Sequence, residues 1–112
     1  MNNKPIIYIA GPISGYPDLN KPAFSEMANE LLQCGFEVKN PHEFCADIKT
    51  DNSSDPEYYK RGFIELTTCT DIILLNGWQY SKGAQIERQA AILFKQGIFE
   101  SAEDLIRKYS NS

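Results

Sequence analysis

Glu87 is the residue whose setting in the sequence most calls for a chemical explanation. A helix is predicted from Ser81 to Gln96. At about 100° per residue, Ala84, Ile86, Ala90, Ala91, Leu93 and Phe94 cover one arc of it, and Gln85, Arg88, Gln89 and Lys95 cover the other. Glu87 falls inside the apolar arc. A carboxylate there must be paired, hydrogen-bonded or neutralised, because burying an isolated charge is strongly unfavourable. On one reading it is a first-turn acid stabilised by the helix dipole, or it reaches an arginine such as Arg61 or Arg88. On the other it rims a crevice, with Gly83 and Ala84 small so that a ligand can approach. Tyr8, inside the first apolar run, has a hydroxyl that could hold such a carboxylate, although a tyrosine in a core strand is more often simply core.

A second candidate is the turn after Tyr8-Ile9-Ala10. Gly11 and Gly15 there allow close backbone approach and inward-pointing amides. The stretch contains neither G-x-G-x-x-G nor a P-loop, which argues against a dinucleotide site or an ATPase. His42, the one histidine, sits in Asn40-Pro41-His42-Glu43 and is expected to be a solvated loop residue with no metal role. Cys34, Cys45 and Cys69 are widely spaced without C-x-x-C, so neither a disulfide framework nor a zinc site is suggested.

These residues need elements to bring them together. Ile6–Ala10 reads as a buried strand closed by Gly11-Pro12. Asn20 and Pro22 open a helix with Phe24, Met27, Ala28, Leu31 and Leu32 on one face, and Gly35 stops it. Phe36-Glu37-Val38 follows as a short strand, completing a β-α-β unit. Residues 45–55 are polar and breaker-rich, either a lid or merely a mobile connection. Asp55-Pro56 caps a helix carrying Tyr59, Phe63, Leu66 and Thr67. Ile72–Leu75, the most apolar run, is the expected central strand, followed by the Ser81–Gln96 helix ended by Gly97. Ile98-Phe99 makes a last short strand, and Ser101–Asp104 resembles a capping box for a terminal helix with Leu105, Ile106 and Tyr109. The order β-α-β-α-β-α-β-α implies an α/β fold with an open parallel sheet of about four strands and helices on both faces. In such sheets the crevice lies beyond the carboxyl ends of the strands, where Gly11–Asn20 and Asn76–Gly83 meet.

The chain has 112 residues and a formal charge of −4, and its longest basic run is the Lys60-Arg61 pair. Its length suits a single domain, residues 1–112, and its charge disfavours binding to a nucleic-acid polymer. The apolar run after Met1–Pro5 is far shorter than a signal or a membrane span, so a cytoplasmic protein with no membrane partner is expected.

Two separated motifs carry a resemblance over nearly the whole chain to about Gly97. Tyr8-Ile9-Ala10-Gly11-Pro12-Ile13-Ser14-Gly15 with Pro22-Ala23-Phe24 and Gly35–Pro41 forms the first, and Cys69-Thr70-Asp71 leading to Gly77-Trp78-x-x-Ser81-x-Gly83-Ala84-x-x-Glu87 forms the second. The chain resembles short phage and bacterial proteins of unknown function related to nucleoside 2-deoxyribosyltransferases and 2′-deoxynucleoside 5′-monophosphate N-glycosidases. The resemblance implies a small flavodoxin-like sheet, a pocket for a nucleoside or deoxynucleoside 5′-monophosphate, no cofactor and no metal, and a homodimer or larger assembly. It implies that Glu87 attacks the anomeric carbon and that Tyr8 orients it. Gly11, Ile13, Ser14, Gly15, Ser81 and Gly83 would surround the substrate, with Trp78 flanking the base or sugar.

The chain also departs from that pattern. Where glycosidases of the group carry an aspartate eight residues ahead of the position matching Asp71, it has Phe63, with Glu65 and Glu57 as the nearby carboxylates. Where nucleotide hydrolases place an arginine in the first loop, it has Ser14. The expected function is therefore an N-glycosidase or deoxyribosyltransferase using a glutamate nucleophile. The alternative is a catalytically impaired nucleotide-binding or sensor module with the same pocket.

Overall fold

The computed structural model describes residues 4–48 and 56–110. Four strands form one parallel sheet: β1 (Ile6–Ala10), β2 (Glu37–Lys39), β3 (Asp71–Leu74) and β4 (Gly97–Phe99), in the order β2-β1-β3-β4. That order and the flanking helices make this an α/β fold of the small flavodoxin-like kind. The helices are α1 (Lys21–Gln33), α2 (Pro41–Phe44), α3 (Pro56–Leu66), α4 (Lys82–Leu93) and α5 (Ala102–Ser110).

Side-chain parity divides the core. Successive strand residues face opposite sides of a sheet. Ile7 and Ile9 of β1, with Ile73 and Leu75 in and just after β3, pack against Phe24, Ala28 and Leu31 of α1 and Ala102 and Leu105 of α5. Tyr8 and Ala10, with Ile72 and Leu74, face the other way and pack against Leu66 of α3 and Ala84 and Ala91 of α4. Tyr8 is thereby aimed at the layer that carries Glu87.

Several boundaries differ from the sequence reading, each for a local reason. β2 begins after Phe36 because Phe36 belongs to the helix stop. Gly35 has φ +90°, its N–H donates to Leu32 O and the Phe36 N–H donates to Leu31 O, so the α1 end is a Schellman motif. The α4 helix ends the same way, with Lys95 at φ 59° and the Gln96 N–H on Ala91 O, and not at Gly97. Gly97 instead opens β4, where a Cβ would collide with Asp71 Oδ1. β3 starts one residue early, at Asp71, whose buried carboxylate accepts from Lys108 Nζ at 2.7 Å, Tyr109 Oη at 2.5 Å and Thr70 Oγ1 at 2.7 Å. These bonds fasten α5 to the amino end of the sheet.

Asn20 precedes α1, but its side chain does not cap the helix. It sits at φ 60° and donates to Pro12 O at 2.8 Å, tying the start of α1 to the first loop. Residues 41–44, read as loop, form α2, capped by Asn40 Oδ1 accepting from the His42 N–H at 3.0 Å. His42 is partly buried with its ring edge-on to Phe24, not solvated, and burial lowers its pKa. Ser101 Oγ accepts from the Asp104 N–H, the forward half of the expected capping box. Asp55 and residues 49–54 of the breaker-rich connection lie outside the described residues. No helix among the described residues is long and apolar enough to cross a membrane.

Candidate functional site

The chain leaves β1 for one edge of the sheet and β3 for the other, so a crevice opens between the loops that follow these strands. A cavity of about 200 Å³ occupies it. The first loop contributes Gly11, Pro12, Ile13 and Ser14. The start of α4 contributes Ser81 through Ala84 and Glu87, and α2 and α3 supply Phe44, Tyr58 and Tyr59. A cavity of this size has room for a small molecule and not for a dinucleotide.

Tyr8 and Glu87 meet at its floor. Tyr8 Oη donates to Glu87 Oε2 at 2.5 Å across 79 positions of sequence. Tyr8 is 1% exposed, and burial, reinforced by the adjacent carboxylate, holds its pKa well above the usual phenol value. The phenol therefore keeps its proton and donates. Burial pushes the Glu87 pKa up to about 7, and the Tyr8 hydrogen bond opposes that rise. Phe44 packs against the Tyr8 ring at a centroid distance of 5.9 Å. Arg61 of α3 holds this wall in place by donating to Phe44 O at 3.2 Å while pairing with Asp47.

The local sequence explains why Glu87 arrives here. Ser81 is the N-cap of α4, its Oγ accepting from the Ala84 N–H at 3.2 Å, so the first turn of the helix faces the cavity. The inward face of α4 runs Ala84, Glu87, Ala91, three and then four residues apart. The apolar arc read from the sequence is thus only partly the buried one: Leu93 is 79% exposed, and Ile86 and Phe94 are exposed as well. Neither arginine considered as a partner is needed for Glu87. Arg61 is engaged with Asp47, and the Arg88 guanidinium lies 5.3 Å from the centre of the Trp78 ring.

Of the residues picked out in the sequence, Tyr8, Gly11, Ile13, Ser14, Ser81, Gly83 and Glu87 line this one cavity. Gly15 and Trp78 do not. Gly15 occupies the turn beyond Ser14 with φ +81°. Trp78 packs on the α3/α4 side of the core, its Nε1 donating to Glu100 Oε1 at 3.1 Å, and is not among the residues lining the cavity. The aromatic walls are Tyr16, Phe44, Tyr58, Tyr59 and Tyr80 instead. Of these the sequence marks only Tyr59, as part of a helical face, because single aromatics in turns and short helices carry no periodic signal.

Lys82 was also passed over. It lines the cavity as the first residue of α4. Cys45 is on the wall too, with burial pushing its thiol up to about 11, which keeps it an unreactive thiol at neutral pH.

Phe63 is not among the lining residues; it packs against the core on the α3/α4 side. Glu65 pairs with Lys39 at 3.2 Å, Glu57 lies 3.8 Å from Arg61, and neither is among the residues lining the cavity. Among the described residues Glu87 is the single carboxylate on the cavity wall. No group of three or more His, Cys, Asp or Glu side chains there is arranged to hold a metal ion.

Comparison with curated proteins finds no match. A family model does match, and it covers residues 5–107, which include both cavity loops, all four strands and Glu87. The chain belongs to the family described as Domain of unknown function (DUF4406).

Proposed function

We propose that the chain cleaves the N-glycosidic bond of a nucleoside or deoxynucleoside 5′-monophosphate, as a hydrolase or a 2-deoxyribosyltransferase, with Glu87 as the nucleophile. The observation that carries this reading is the Tyr8 Oη to Glu87 Oε2 hydrogen bond of 2.5 Å at the floor of the cavity. Ionised Glu87 attacks the anomeric carbon through an oxocarbenium-like transition state. The base leaves with the C–N electron pair, and a glycosyl ester on Glu87 is then taken by water or a second base. Tyr8 fixes one carboxylate oxygen and leaves the other to face the sugar. The aromatic wall provides stacking surface for the base, and Lys82 with the first turn of α4 suits an anionic group on the sugar. A homodimer or larger assembly belongs to the same reading, and sedimentation measures it.

Incubation with a panel of deoxynucleosides and their 5′-monophosphates, followed by chromatography, should reveal free base, and Glu87→Ala should release none. If the wild-type protein releases no base from any member of the panel, the reading is wrong.

A second reading is favoured by one observation, the absence of a second carboxylate beside Glu87 among the described cavity residues. On it the chain is a nucleotide-binding or sensor module that keeps the pocket without turnover. Thermal stabilisation by a nucleotide with no product formed would select this reading, since a ligand that binds only the folded state raises its stability.

A further inference from the structure

Gly62 lies in the interior of α3, is buried, and has a negative φ that any residue can adopt. A glycine in mid-helix weakens the helix relative to alanine, so neither helix formation nor backbone conformation accounts for it. Its surroundings do. A Cβ built on Gly62 would meet Tyr8 Oη at 2.9 Å and Glu87 Oε2 at 3.0 Å, the two oxygens that share the hydrogen bond at the cavity floor. Both atoms belong to side chains packed beneath the helix, Tyr8 being 1% exposed.

We infer that Gly62 is the positioning residue of the Tyr8–Glu87 pair, its missing side chain allowing the α3 backbone to close over both oxygens and hold Glu87 against the phenol. A methyl group here would push the two oxygens apart and so lengthen a hydrogen bond that favours the ionised carboxylate. Its catalytic consequence rests on the proposed function, but the positioning itself is measured without substrate.

The test follows the Glu87 carboxyl by carbon NMR over a pH titration in wild type, Gly62→Ala, Tyr8→Phe and the double variant. The Tyr8 bond opposes the rise of the Glu87 pKa to about 7. Gly62→Ala should therefore raise the midpoint by about half a unit or more, and the increment should shrink in the Tyr8→Phe background, as coupled neighbours require. An unchanged midpoint in folded Gly62→Ala, or an equal increment in both backgrounds, overturns the inference. Should Gly62→Ala alone fail to fold, the double variant decides. Recovery of a folded protein once the phenol oxygen is gone supports the inference, and failure in both backgrounds overturns it.

Discussion

Tyr8 and Glu87, 79 positions apart, share a 2.5 Å hydrogen bond in which the phenol donates and the carboxylate accepts. The bond exists because β1 turns its even-numbered side chains toward the layer formed by α3 and α4, and the first turns of α4 bring Glu87 over the carboxyl end of β1. It gives the carboxylate one polar partner inside an otherwise desolvating wall, and the balance of the two effects leaves Glu87 titrating near neutrality.

The first prediction concerns rate against pH. A nucleophilic Glu87 must be ionised, so kcat/KM for base release should rise with pH through a midpoint of about 7, the value for the free protein. Tyr8→Phe removes the bond that favours the ionised form, so it should move this midpoint upward and lower the plateau roughly tenfold to a hundredfold. Steady-state rates from pH 5 to 9 check both. A midpoint near that of a free carboxyl would count against the assignment.

A second prediction concerns stability and needs no substrate. The Glu87 pKa is raised from 4.5 to about 7 on folding, so between these values the folded state binds more protons than the unfolded one. Stability is then lost as pH rises across that window, on the order of 3 kcal/mol once above it. Glu87→Gln should remove this loss, unfolding at higher denaturant than wild type at pH 8 and near wild type at pH 4.5. Urea titrations at the two pH values compare them.

At the far end of the sheet, Asp71 is fully buried and depends on Lys108 for its countercharge. Lys108→Met should destabilise the protein by about 2 kcal/mol. The value falls below that for breaking a fully buried pair because the Lys108 side chain is 43% exposed. Equilibrium unfolding measures it, and the lost stability should be accompanied by faster amide exchange in α5.

Arg61 makes the fourth case. It joins α3 to the segment after α2 through Phe44 O and Asp47, and Phe44 in turn packs on Tyr8. Arg61→Ala should leave the melting temperature almost unchanged, because the ion pair is exposed, while amides of residues 44–48 exchange faster. Hydrogen exchange resolved by residue tests this, and unchanged protection there would show that Arg61 does not hold the wall.

The sequence by itself determined the alternation of the strands with the longer helices and the parallel sheet, and it marked Tyr8 and Glu87 as candidates for one crevice. Those properties are local: the apolar runs of β1 and β3, the helical spacing of α1, α3 and α4 and the glycine turns after strands are written in neighbouring residues. Helix ends were less legible, because the same left-handed stop is made by Gly35 in α1 and by Lys95 in α4, and a lysine does not announce it. Tertiary structure alone decided which side chains share the cavity. It turned Trp78 toward Glu100, put Tyr58, Tyr59 and Lys82 on the wall, and set Phe63 into the core. It also gave Gly62 its meaning, since that residue's place is defined only by two oxygens that arrive from β1 and α4. Periodicity fixes the face of an element, but contacts between elements depend on strand order and on the packing of layers far apart in sequence.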